Sequence, residues 1–190
     1  MDHQSQYLQP EYSNDTYNKI ELWGRFYVSK KWQVFAFVPY SINHMDGSEE
    51  NVWAKGMGDI SVLANYIILN TGDSTAKKFK HTLTAGGGVK LPTGNYRQEE
   101  DGLLLNPNFQ LGTGSTDFIA STIYTLRYGK MGLNTEGGYK LNLANSKHYK
   151  MGDQWHVSSQ LFYWQKVKSF SFLPNAGLLF EQGQKNKDGN

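Results

Sequence analysis

The chain has 190 residues, 38% hydrophobic and 14% aromatic, with a net charge of +2 and no cysteine; that length is one domain with room for a core, and the missing thiols exclude disulfides and thiolate metal sites. Mean hydropathy is −0.59 and no run approaches the roughly 18–20 apolar residues of a spanning helix, which excludes a helical membrane bundle but not a transmembrane β-barrel, where only alternate residues of each strand meet lipid. The basic residues are scattered, against a nucleic-acid surface, while 20 Gly, 12 Tyr and 5 Trp suit the walls and aromatic girdles of a barrel as well as a soluble β-sandwich.

Residues 1–16 are polar, with Pro10 and an Asn14-Asp15 turn signal, and read as a loop segment. Tyr17–Val28 alternates with period two, placing Ile20, Leu22, Phe26 and Val28 on one face and Lys19, Glu21, Trp23 and Arg25 on the other. Ser29-Lys30-Lys31 is a tight turn into Trp32–Tyr40, and Ser41–Lys55 reads as a long polar loop. Two clear strands follow, Ile60–Asn70 and His81–Leu91. The first carries Val62, Ala64, Tyr66 and Ile68 on its apolar face, and the second Leu83, Ala85 and Val89. A further long loop, Pro92–Pro107, leads to a strand that starts near Phe109, breaks at Gly112–Ser115 and resumes as Asp117–Tyr128. Gly129-Lys130 turns into Met131–Leu141, the loop Asn142–Gly152 precedes Asp153–Trp164, and a short turn at Gln165–Lys168 precedes Ser169–Glu181. The tail from Gln182 is polar and reads as unstructured, so the barrel wall is expected over residues 17–182, with a polar tail at 183–190.

About eight strands and no helix make an all-β, antiparallel, up-and-down pattern. Their connections alternate short and long, as do the periplasmic turns and extracellular loops of outer-membrane barrels. With the short turns in the periplasm, the first strand starts and the last strand ends on the extracellular side. That predicts an incomplete barrel, a fragment with further strands on both flanks. Met1–Gln6 shows neither the basic region nor the apolar core of a signal peptide, which for an exported protein fits a chain that is mature or lacks its beginning.

Three segments carry a resemblance: Gly56-Met57-Gly58-Asp59-Ile60, Gly86-Gly87-Gly88-Val89-Lys90-Leu91-Pro92-Thr93-Gly94 and Leu111-Gly112-Thr113-Gly114-Ser115-Thr116-Asp117. In this order and strand context the chain, over about residues 17–182, resembles a family of Gram-negative outer-membrane β-barrels of presumed transport function, grouped with the meta-pathway phenol-degradation outer-membrane proteins, in a Bacteroidota flavour. The resemblance implies a barrel with more strands than these, a signal peptide, and movement of small molecules across the outer membrane. It brings no established functional residues.

Catalytic and cofactor chemistry finds little support in the residues. Gly86–Gly94 lacks the Gly-Lys-Ser/Thr ending of a phosphate loop and runs into proline, so its glycines read as wall geometry. The five histidines are dispersed without metal-ligand spacing. Ser158, His156 and Asp153 lie close in sequence, but a spacing of two along one strand gives parallel side chains and not a nucleophile bonded to its base. The expectation is therefore a non-enzyme with no cofactor and no metal, its partners outer-membrane lipid and an unidentified small solute.

Lumen-facing candidates are Lys19, Glu21, Arg25, Lys90, Arg127, Glu136, Lys140 and His156, with Trp23, Phe35, Phe37, Phe162 and Trp164 also directed inward. Mixed signs suit a ladder of ion pairs stiffening the interior, and equally a charge filter on passing solutes. The expected function is a passive, porin-like channel for small molecules, hydrophobic or aromatic ones among them. A barrel with a packed, non-conducting interior and a soluble ligand-binding barrel stay open as alternatives.

Overall fold

The computed structural model describes residues 11–48, 51–72, 74–100 and 103–188. The expected tail residues 189–190 and the first ten residues of the expected leading loop lie outside them.

Eight long strands form one antiparallel meander: β1 (Ser13–Tyr27), β2 (Trp32–Gly47), β4 (Ser61–Asn70), β5 (Phe79–Lys90), β8 (Asp117–Tyr128), β9 (Met131–Leu141), β11 (Gln154–Tyr163) and β14 (Asn175–Gly183). Between them lie β3 (Asn51–Met57), which pairs with β2, and the short strands β6 (Glu99–Glu100), β7 (Leu103–Leu104), β10 (Tyr149–Lys150), β12 (Gln165–Val167), β13 (Phe170–Phe172) and β15 (Lys187–Asp188). No helix occurs among the described residues.

The period-two reading sets the faces. Cross-strand partners from β1 to β9 put Trp23 opposite Phe37, Phe35 opposite Leu63, Asn65 opposite Gly86, Gly86 opposite Ser121, and Ile123 opposite Glu136. A single cavity of 320 Å³ touches Glu21 and Trp23 on β1 as well as Glu136 on β9, so the sheet curls and this face is its concave one. The convex face carries Leu22, Phe26, Leu161 and Leu178 at 61–83% exposure, with Tyr66, Tyr139, Trp155 and Tyr163 along it. The wall is an open half-barrel. β1 and β14 each pair on one side only among the described residues.

Several boundaries differ from the sequence expectation, each for a tertiary reason. β1 begins at Ser13, ahead of the expected Tyr17. Ser41–Lys55 is not a loop: β2 runs on to Gly47 and pairs with β3, which together with β4 reads as one long strand broken at residues 58–60. The break faces Pro39, whose carbonyl accepts from the Gly58 N–H at 2.9 Å. A strand residue's N–H and C=O point the same way, so proline has no donor to offer at that gap.

The expected strand from Phe109 is absent, and β8 starts at Asp117. Instead, residues 103–111 fold inward onto the concave side of the β2–β3 extension. Phe109 and Leu105, 1% and 2% exposed, pack with Met45, Val52, Ala54 and Leu111 as the one buried apolar cluster among the described residues. Tyr17 meets the Phe109 ring edge-on at 6.0 Å, and the Asn43 Nδ2 donates to the Phe109 carbonyl at 3.1 Å. A buried phenylalanine of this kind contributes about 3 kcal/mol or more, enough to hold the loop against the wall. The expected last strand Ser169–Glu181 is divided: β13 pairs with β12 as a small hairpin, and β14 takes the wall position. The tail is not free of structure, because Lys187–Asp188 pairs with Tyr149–Lys150.

Candidate functional site

The three glycine-rich segments meet at the long-loop end of the wall. Lys90 ends β5 and Asp117 begins β8 directly opposite it. The Lys90 ammonium lies 2.6 Å from the Asp117 Oδ2, 2.9 Å from the Asp59 Oδ2, and in close contact with the Thr113 Oγ1. All three charged side chains are nearly dry, at 7%, 7% and 0% exposure. Lys140, on β9, approaches Asp117 at 3.9 Å, so two ammonium groups balance two carboxylates. Such a buried set holds best when its remaining lone pairs are bonded. Most of them are: Asp59 accepts from the Gly94 and Thr113 N–H groups at 2.9 Å, and the Asp117 Oδ1 from the Ser115 hydroxyl at 2.8 Å and the Leu143 N–H at 3.1 Å. The Asp117 Oδ2 has the Lys90 charge contact and no aligned hydrogen bond.

The surrounding backbone is stitched to the same groups. Thr93 donates its hydroxyl to the Gly58 carbonyl at 3.0 Å and accepts from the Ile60 N–H at 2.9 Å, bridging the break between β3 and β4. Gly94 and Gly112 lie so close that a Cβ on Gly94 would sit 2.9 Å from the Gly112 Cα, and one on Gly112 would sit 2.6 Å from the Asp59 carboxylate. Side chains there would push the loop off its anchor. Asp153 repeats the device one loop further, accepting from the Asn142 N–H at 3.0 Å. Burial pushes its carboxyl up, but that N–H and the Lys150 ammonium outweigh it and hold it below the usual carboxylate range. The cluster is a latch. It fixes the inward-folded loop and the adjoining 142–153 loop to the wall, and it offers no exposed reactive group.

The other lumen-facing candidates are dispersed. Lys19 pairs with Glu21 at 2.9 Å on the same strand, and Arg25 lies over the Tyr27 ring at 5.2 Å. Glu136 and His156 are neighbours across β9 and β11 at 3.7 Å, and Arg127 stands over the Trp164 ring at 5.7 Å. Phe35 and Phe37 stack at 6.5 Å and line the mid-wall cavity with Trp23 and Leu63. Ser158 makes no bond to His156, so the serine–histidine–aspartate set does not assemble.

At the short-turn end the concavity opens into a 620 Å³ cavity lined by Lys80, Thr82, Thr125, Arg127, Phe162 and Trp164 among others. At the opposite end, the cavity beside Tyr96, Thr113 and Asn145 holds only 20 Å³. Charge is polarised along the same axis. The four turn regions 25–33, 66–82, 125–134 and 160–175 contain Arg25, Lys30 and Lys31, then Lys77, Lys78 and Lys80, then Arg127 and Lys130, then Lys166 and Lys168. Asp73 is their one carboxylate, and the other 16 of the chain's 17 acidic residues lie elsewhere in the sequence.

Of the latch, only Lys90 and Lys140 stood among the sequence candidates. Asp59, Thr93, Thr113, Ser115 and Asp117 did not, and Asp153 entered only as the acid of the rejected serine–histidine set; Asp59, Thr93, Thr113, Ser115 and Asp153 each stand next to a glycine or proline at or just beyond a strand end. That recurring strand-end placement of Asp and Thr was the available signal.

No curated protein matches the chain. A match to a known family covers residues 12–189, nearly the whole chain, and includes all three segments that converge on the latch. The chain belongs to the family described as "Putative MetA-pathway of phenol degradation".

Proposed function

We propose that the protein is an outer-membrane β-barrel that lets small molecules cross passively, without catalysis. The observation that carries this reading is the two-faced wall. Its convex side carries exposed large apolar side chains from the first strand to the last, Leu22, Phe26, Leu161 and Leu178 among them, and apolar surface of this kind marks a membrane or partner contact. Its concave side holds Glu21, Asn65, Thr125, Glu136, His156 and Gln160. Family membership supports the same reading. Lipid does not tolerate unpaired strand edges, so the working form pairs the free edges of β1 and β14 and closes the wall.

The inward-folded 103–111 loop narrows the long-loop entrance, as a constriction that sets which solutes pass. The test is conductance and solute flux with the full-length protein in planar bilayers and liposomes. Discrete current steps and entry of small solutes are expected. Folded, membrane-inserted protein that passes neither ions nor any small solute would leave the packed, non-conducting barrel as the correct reading.

A further inference from the structure

We infer that the 620 Å³ cavity at the short-turn end is a binding site for a small amphipathic anion, a carboxylate on an apolar or aromatic body. The inference rests on the channel reading for its place in permeation, but the binding itself is an equilibrium property of the wall.

Two independent observations carry it. Lys80 and Arg127 are direct cross-strand partners on β5 and β8. Like charges in that position repel and destabilise the pair, and among the described residues neither forms an ion pair with a carboxylate. Lys80 donates one hydrogen to the Gly72 carbonyl at 2.7 Å, leaving two. Arg127 faces the Trp164 ring, which leaves the edge of its planar fork for a bidentate acceptor. A carboxylate between the two cations relieves their repulsion and takes charge-assisted bonds from both.

The second observation is the aromatic part of the same lining. Phe162 and Trp164, the latter beside Arg127, line the cavity and give an apolar body ring surface to pack against. Thr82 and Thr125, at the cavity wall, have their hydroxyls directed to Asn70 and Asn134, so they present methyl groups as readily as polar atoms. Around this pocket the cationic turns raise the local concentration of anions and repel cations. Neither a small inorganic anion nor a neutral aromatic uses both halves of the site.

The test is calorimetric titration of the detergent-solubilised or bilayer-reconstituted full chain with benzoate, benzamide and acetate. Benzoate is expected to bind at least tenfold more tightly than the other two. Lys80→Gln and Arg127→Gln should each weaken benzoate at least fivefold, and raising the salt from 50 to 500 mM should weaken it further. Lys130→Gln removes a nearby charge that does not line the cavity and bonds Gln165 at 2.7 Å; it should change binding less than twofold. Equal affinity for benzoate and benzamide overturns the proposal, as does equal weakening by Lys130→Gln and Arg127→Gln. If an arginine variant does not fold, the ligand series on the unmodified chain still decides. A chain that binds benzoate this way yet conducts nothing refutes the channel and not the site; a conducting chain without this preference refutes the site alone.

Discussion

Replacing Lys90 with methionine is expected to lower the stability of the folded wall by about 3–5 kcal/mol, the cost of removing one partner from a buried ion pair. The loss is large because it leaves Asp59 and Asp117, both almost fully buried, facing each other without the ammonium that lies 2.9 and 2.6 Å from them. Lys140→Met should cost less, about 1 kcal/mol, since its side chain is 29% exposed and sits 3.9 Å from Asp117. Asp117→Asn introduced into the Lys90→Met background should recover part of the loss, because the groups act as one network and their effects do not add. Denaturant titration in detergent, followed by near-UV circular dichroism and heat-modifiable gel migration, reads all three. A Lys90→Met protein as stable as the parent would show that the latch is incidental.

The second large effect is expected at Gly86 and Gly88. A Cβ at either position would run into the backbone of β4, at the Ala64 carbonyl for Gly86 and the Val62 carbonyl for Gly88, closer than real Cβ contacts come. Backbone of a paired strand cannot step aside without opening the β4–β5 ladder. Gly86→Ala or Gly88→Ala should therefore cost about 3 kcal/mol or more. Gly137→Ala makes the control: nothing lies within 4 Å of the added carbon, so its effect should stay within about 0.5 kcal/mol. The same denaturant titrations apply, and a Gly88→Ala protein indistinguishable from Gly137→Ala would remove the steric account of these glycines.

These two sites show what alternation can and cannot disclose. In β5, β8, β9 and β11 the period-two pattern assigns the faces, because a single greasy side forces the register; in β4 it holds only as far as Ile67, where a bulge shifts the register before Leu69. The same alternation puts Lys90 on the inner face, and the glycines of β5 read as wall geometry from the sequence alone. What it could not supply were partners across long loops. Lys90 and Asp117 are direct neighbours in the sheet, yet the segment between them is long and carries its own fold, so their pairing is invisible along the chain.

Polarity misled at Ser41–Lys55 for a related reason. Asn43, Met45, Val52 and Ala54 are buried by a loop distant in sequence, while His44 and Trp53 stack at 4.1 Å on the other face with the Lys55 ammonium 4.3 Å from the indole. Cross-strand pairs of that kind stabilise a hairpin whose composition alone resembles a loop. The break at Pro39, by contrast, was readable in principle, since proline cannot donate within a sheet.

The central claim is that one face of this wall meets lipid and the other meets solute. Val157 and Ser158 are consecutive residues in the middle of β11, a strand paired on both sides, and they point to opposite faces. Two reporters, Val157→Trp and Ser158→Trp, are made in a background with the five native tryptophans replaced by phenylalanine, and are reconstituted in vesicles of lipids with brominated acyl chains. Strong quenching of the Val157→Trp reporter, with the Ser158→Trp reporter quenched by aqueous acrylamide and not by bromolipid, is the predicted result. Equal bromolipid quenching at both positions, or none at either, would contradict the account.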